Sequence, residues 1–313
     1  MARIRLGLVG IGKIARDQHL PALAANPDYD LVAVASRQPN PVEGVPSVTD
    51  TADLLSDYPD IHAVSFCTPP VGRYDQARRA LEAGRHVMLE KPPGATVAEV
   101  ERLADLARSK GVTLFATWHS REAAAVAPAR GWLADKSIRS VSVVWKEDVR
   151  RWHPGQDWIW EPGGLGVFDP GINALSILTA ILPEAAILEA ADLSYPSNRA
   201  APIAADLSFR TGSGAAVTAA FDWRQTGRQI WEITVATDQG TLLLSEGGGK
   251  LSIDGIAQVD VADEALSGEY PNLYRRFADL IRSGRSDIDL EPFRHVADAF
   301  MLGRRVTVES FED

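Results

Sequence analysis

Cysteine is all but missing from this 313-residue chain. Cys67 stands alone, so no internal disulfide can form, which fits a reducing, cytoplasmic setting. Positive charge is in short supply too. Against 42 acids stand 32 lysines and arginines, for a formal net charge of −10. No basic stripe offers itself to a phosphate backbone, which argues against nucleic acid as a partner. No apolar run reaches the roughly 18–20 residues of a spanning helix, so no membrane partner is expected. The six histidines are scattered and none pairs as HxH or HExxH, so no metal is expected. The opening run MARIRLGLVGIG has the early arginines of a leader. It continues into GIGKIARDQH rather than a small-residue cleavage site, and reads as a first strand.

What is present is 45% hydrophobic sequence, enough for sizeable cores over one large or two ordinary domains. Residues 1–120 alternate. Strand-like RIRLGLVG, YDLVAVAS, IHAVSFCT, RHVMLEK and VTLFATW are separated by helix-like segments. The clearest of these is TVAEVERLADLARSKG, with Val97, Val100, Leu103, Leu106 and Ala107 at helical spacing. That rhythm predicts βαβ units and a parallel sheet. Over 121–313 the strand-like runs crowd together, from RSVSVVWKEDV to KLSID, with turn signals such as TDQG, EGGGK and Asp254-Gly255 between them. A mostly antiparallel, open sheet follows, with helices expected over Asp169–Leu182 and near Asn272–Ser283. Such a sheet suggests a homodimer through its free face.

The first strand runs into Gly10-Ile11-Gly12-Lys13-Ile14-Ala15, a G-x-G-x-x-A loop. The first glycine allows the tight turn and the second lets backbone approach a pyrophosphate. The small third position lets the helix pack closely, and that helix turns its N-terminal N–H groups to the phosphates. Placed between a strand and a helix, the loop predicts a dinucleotide-binding Rossmann domain with Gly10, Gly12, Lys13 and Ile14 at the cofactor. An NAD site usually ends its second strand with an acid; here Ser36-Arg37 stand there. A hydroxyl and a forked cation suit a 2′-phosphate, so NADP is expected to be preferred and NAD tolerated.

The stretch MLEKPPG ends a strand on Glu90 and Lys91 before Pro92-Pro93, and Thr68-Pro69-Pro70 ends the strand before it. Ligands of parallel nucleotide folds bind beyond such carboxyl ends. Thr68, Pro69, Glu90 and Lys91 are therefore expected at the cofactor. The prolines restrict the backbone around Lys91, and the isomer of the X-Pro bonds is open at this point. GxGxxA, CTPP and EKPP together resemble the glucose–fructose oxidoreductase / inositol dehydrogenase family. The resemblance spans essentially the whole chain. It implies a Rossmann domain joined to an α/β domain with an open sheet, and an active-site role for Lys91, which matches the lysine of the family's EKP. Within the family, residues 146–177 and WHSRE at 118–122 look like bacterial L-arabinose / D-galactose 1-dehydrogenases.

Asp169-Pro170-Gly171-Ile172-Asn173 opens a helix. Asp169 could simply be its N-cap. Alternatively, residues four apart share a face, and Asp169 and Asn173 address a substrate together. Many family members carry histidine where Asn173 stands, and that histidine is usually given the proton-transfer role. Asparagine cannot do that work at neutral pH, so the base assignment moves to Asp169 and Asn173 orients a hydroxyl. Eight tryptophans include Trp152 and Trp231, which can cover the apolar face of a sugar ring. His119, Glu147 and His153 are candidate hydroxyl readers. The resulting expectation is an aldose 1-dehydrogenase that turns a pyranose, L-arabinose or D-galactose or a close relative, into its lactone. The rivals are a sugar-responsive regulator that kept the fold without the chemistry, and a family reductase acting on another carbonyl.

Overall fold

The computed structural model describes residues 2–39, 41–261 and 268–312. The chain divides into two compact units, Met1–His119 with Leu266–Asp289 and Ser120–Ala265 with Leu290–Asp313.

The first unit holds one six-stranded sheet: β1 Ile4–Val9, β2 Tyr29–Ala35, β3 Ser47–Val48, β4 Ala63–Phe66, β5 His86–Leu89 and β6 Leu114–Ala116. Its order is β3-β2-β1-β4-β5-β6 and every pair is parallel. The strands are apolar without alternation because both faces are covered: Leu6, Leu8, Val64, Phe66, Val87 and Leu89 are all fully buried. The strand order reverses at β1, so the crevice beyond the ends of β1 and β4 is the place for a ligand. The Val97–Lys110 helix shows how local signals shape this unit. Thr96 accepts the Glu99 N–H while Glu99 accepts the Ala95 N–H, and Gly111 ends the helix at φ 65°.

The helix expected near 272–283 spans Glu269–Ser283, and it belongs to the first unit rather than to the 121–313 domain in which the sequence placed it. The reason is its apolar stripe. Tyr270, Leu273, Tyr274, Phe277 and Ala278 all bury in the core beneath β1 and β2. Burying a side chain such as Phe277 contributes about 1.5–3 kcal/mol.

The second unit is built on a nine-stranded sheet of order β14-β13-β12-β11-β7-β10-β9-β8-β15. Its strands are β7 Ile138–Lys146, β8 Ala186–Pro196, β9 Ala204–Thr211, β10 Ala216–Asp222, β11 Ile230–Thr237, β12 Gly240–Ser245, β13 Lys250–Ile253, β14 Ile256–Asp260 and β15 Arg304–Val308. The sheet is mostly antiparallel, as expected; β7 with β10 and β8 with β15 pair parallel. Alternation is clear in β9 and β10. Leu207, Phe209, Val217 and Phe221 face the core, whereas Asp206, Ser208, Arg210 and Thr218 are exposed on the open face.

The Phe168–Ile181 helix packs on the covered face. Nearly every residue of it is buried, and it stops at Leu182 because Pro183 cannot continue it. It lies close to β10 through Gly171, where a Cβ would come within 2.8 Å of Phe221.

Candidate active site

In the first unit the glycine loop forms as its spacing predicts. Gly10 sits at φ 87°, and a Cβ there would lie 2.8 Å from both Cγ2 and the backbone nitrogen of Thr68. Only glycine fits that approach. At Gly12 nothing among the described residues stands within 4 Å of a built Cβ, which leaves open space beside the loop. Thr68 Oγ1 is buried with no hydrogen-bond partner among the described residues. A tight glycine turn, open space beyond it and an unspent hydroxyl at the next strand end fit a dinucleotide.

Beyond Gly12 the chain enters helix at Lys13-Ile14. Lys13 forms an i,i+4 ion pair with Asp17. Arg37 is exposed at the end of β2, and Ser36 Oγ accepts the Gln38 N–H at 3.1 Å. A second cation there escaped the sequence reading. Arg16 donates to the Pro41 carbonyl and to Gln38 Oε1, each at 2.8 Å, so its guanidinium joins the loop that follows Arg37. Pro69 is exposed and Lys91 half-buried, and the Lys91–Pro92 bond is cis.

Glu90 corrects an expectation. The sequence placed it at the cofactor, but it is 3% exposed and turned into the core. Its Oε2 accepts the Lys91 N–H at 2.6 Å, and Oε1 takes Tyr270 Oη–H at 2.7 Å and His19 Nε2 at 3.2 Å. Burial alone would raise its pKa. The hydrogen bond and charge of His19, the charge of His119 and the Tyr270 hydroxyl overcome this and hold the carboxyl at about 2. His19 is held well above its usual 6.5: burial pulls it down, but Cys67, Tyr274 and Glu90 outweigh that. His119, expected among the hydroxyl readers, is 5% exposed, stacks on Tyr270 and places Nδ1 2.5 Å from Glu269 Oε2. His19, Tyr270, Tyr274 and Glu269 were not foreseen. Three of them come from the returning helix, and only the i,i+4 spacing of Tyr270 and Tyr274 hinted at a shared face.

In the second unit Glu147, His153, Asp169, Trp152 and Trp231 come together. Glu147 follows β7 and is 6% exposed. Its two oxygens accept two indole N–H groups, Trp223 Nε1 at 3.2 Å and Trp231 Nε1 at 2.9 Å. The Trp152 ring meets Trp231 edge-on at 5.6 Å, and its Nε1 donates to Gln229 Oε1 at 3.3 Å. His153 lies against Trp223, its Nε2 3.5 Å from Asp169 Oδ2 and 4.0 Å from Glu147 Oε1. Trp223, fully buried, is the residue here that the sequence reading passed over.

Asp169 is not the N-cap. Val167 holds that place, with no side-chain cap, and Asp169 stands inside the first turn. Its carboxylate, 3% exposed, is turned to His153, at the helix end that favours negative charge. Asn173, one turn on, is half-buried; its carbonyl accepts Ser176 Oγ–H at 2.7 Å.

Comparison with known proteins identifies the family. Residues 4–117 match the model of an oxidoreductase family with an NAD-binding Rossmann fold. Galactose 1-dehydrogenase of Pseudomonas fluorescens is 47% identical over 325 aligned positions, covering all of both chains. The crystal structure of D-galactose-1-dehydrogenase from Rhizobium etli superposes with a TM-score of 0.94 at 57% identity, over 100% of this chain and 99% of that one. A 3-ketoreductase from Actinomadura kijaniata, solved with NADP and TDP-benzene, shares the fold at a TM-score of 0.83 and 21% identity, over 98% and 99% of the chains. The chain therefore belongs to the glucose–fructose oxidoreductase / inositol dehydrogenase family of NAD(P)-dependent oxidoreductases.

Proposed function

We propose that this protein is an aldose 1-dehydrogenase that oxidises the C1 hydroxyl of a pyranose, D-galactose or L-arabinose or a close relative, to the lactone. The observation that carries the reading is the cluster of Asp169, His153 and Glu147 walled by Trp152, Trp223 and Trp231. Indole faces and edges cover sugar C–H groups while the polar groups read hydroxyls. The full-length likeness to a galactose 1-dehydrogenase supports C1 as the carbon oxidised.

In this reading Asp169 takes the proton of the C1 hydroxyl. The helix N-terminus favours its carboxylate form, which a base needs. Asn173 hydrogen-bonds the reacting oxygen, and Lys91, which matches the lysine of the family's EKP, is assigned the positive charge that favours a developing alkoxide. His153, with Nε2 3.5 Å from Asp169 Oδ2, steadies that carboxylate from its place beside Trp223. The bound nicotinamide would supply the hydride acceptor. Gly10, Gly12, Ile14, Thr68 and Pro69 would hold that cofactor. Ser36 and Arg37 would take its 2′-phosphate, making NADP the preferred form with NAD accepted. The open polar face of the nine-stranded sheet is where two copies would meet.

The test is a panel of aldoses with NADP or NAD, read by absorbance of the reduced cofactor. Reduction with galactose or arabinose, faster with NADP, supports the reading. No reduction with any aldose removes it.

A further inference from the structure

Arg73 opens the Arg73–Glu82 helix, in a sequence, RYDQARR, that looks like a solvated face. It is instead 2% exposed. Among the described residues no carboxylate pairs with it. Its guanidinium donates to three backbone carbonyls, Nη1 to those of Glu90 and Pro92 and Nη2 to that of Thr68. Two of these carbonyls flank Lys91, and the third ends the neighbouring strand β4. Burial lowers its pKa only to about 10, so it is a cation at neutral pH.

A buried cation is a costly way to fill space, and an apolar side chain of similar volume would pack there at less expense to stability. What an apolar side chain cannot do is hold three carbonyls at once. The planar fork of arginine can, and lysine cannot match it. The Glu90 carboxylate holds the same turn from its other side, accepting the Lys91 N–H at 2.6 Å and itself fixed by Tyr270 and His19. The backbone amide of Lys91 and the carbonyls of Glu90 and Pro92 are thus tied to buried, hydrogen-bonded groups.

We propose that Arg73 is a positioning residue for Lys91, locking the Glu90–Pro92 turn to the end of β4 so that the lysine ammonium is presented in one place. The proposal rests on the reading of Lys91 as an active-site group. Arg73 touches neither substrate nor cofactor in this role; it acts through the backbone it grips. A displacement of about 1 Å at a catalytic group costs on the order of 10²-fold in rate.

The experiment uses the full chain with Arg73→Lys, Arg73→Ala, Lys91→Ala and the Lys91→Ala/Arg73→Ala double variant. Each is assayed for kcat and for both KM values, with and without low millimolar guanidinium chloride, and with sodium chloride as the control. The expected result is a kcat about 10–100-fold lower in both Arg73 variants, with KM for the cofactor unchanged. Guanidinium, and not sodium, restores part of the Arg73→Ala kcat in a saturable way. The double variant is no slower than Lys91→Ala, because the group being positioned is already gone.

A fall in thermal midpoint with wild-type kcat would show a purely structural arginine and overturn the proposal. So would a raised cofactor KM with unchanged kcat, or losses that multiply in the double variant. A Lys91→Ala enzyme with wild-type turnover sinks the reading of Lys91, and this proposal with it. Multiplying losses beside a slow Lys91→Ala sink the proposal alone. Should Arg73→Ala not fold, Arg73→Lys carries the same comparison.

Discussion

Glu147→Gln keeps the shape of the side chain and removes its charge. In the wild-type chain both carboxylate oxygens accept, from Trp223 Nε1 at 3.2 Å and from Trp231 Nε1 at 2.9 Å. A carboxamide has one accepting end and one donating end. Whichever way it turns, its NH2 faces an indole N–H. Trp223 is fully buried and Glu147 is 6% exposed, so water cannot take over the lost partnership cheaply. A hydrogen bond to a charged acceptor is worth about 1.5–3 kcal/mol, and a buried donor left unpaired costs about 1–3 kcal/mol. The two overlap, so the second unit should lose about 2–4 kcal/mol of stability. Urea unfolding followed by tryptophan fluorescence reads this as a lower midpoint at unchanged slope. The same change removes the anion 4.0 Å from His153 Nε2 and loosens the indole wall, so KM for the aldose should rise as well. A variant with the wild-type midpoint and wild-type KM would refute the claim that Glu147 organises this cluster.

Asp169→Asn should lower turnover by about 10²–10⁴ while the cofactor still binds, and Asn173→Ala should cost less, because asparagine can only hydrogen-bond; steady-state kinetics of the two variants side by side check the order. Arg37→Asp should move the ratio of kcat/KM for NADP over NAD by about one to two decades towards NAD, since a charge-assisted hydrogen bond is exchanged for repulsion; an unchanged ratio would make Arg37 a solvated residue and turn attention to Arg16. Glu90 is held at about 2 against an ordinary 4.5, so its contribution is complete above pH 4.5 and disappears as pH falls towards 2. Glu90→Gln should therefore remove about 3 kcal/mol of stability at neutral pH and flatten the acid limb of the stability profile, which urea midpoints measured from pH 6 down to pH 3 would show.

The Rossmann half was legible because its signals are local. Period, glycine spacing and strand-end residues all act within a few positions of one another, and β1, β2, β4, β5 and β6 follow the expected runs. β3 has two residues and carries no period to detect. β14 and β15 are short strands whose partners define them, β15 pairing with β8 across more than a hundred residues. The Glu269–Ser283 helix was readable as a helix, but its unit was not, because an apolar stripe does not name the core it will join. Glu90 misled for a related reason. An acid at a strand end can face outward to a ligand or inward to a histidine and a tyrosine that arrive from distant chain. Arg73 and Trp223 were missed because nothing in their neighbours marks a buried guanidinium or an indole donating to a carboxylate. Asp169 was the opposite case. Its capping alternative could be weighed from the sequence, and the structure removes it by putting Val167 at the cap.

The most direct test of the account is where the hydride comes from. The protein is incubated with NADP and galactose or arabinose deuterated at C1, and the reduced cofactor is examined by mass spectrometry. The family fold also serves a 3-ketoreductase, so sugar deuterated at C3 is the matched control. The account predicts one deuterium in the reduced cofactor from the C1-labelled sugar, none from the C3-labelled sugar, and a lactone as product. Deuterium delivered from C3, or cofactor reduced without label from C1, would contradict it.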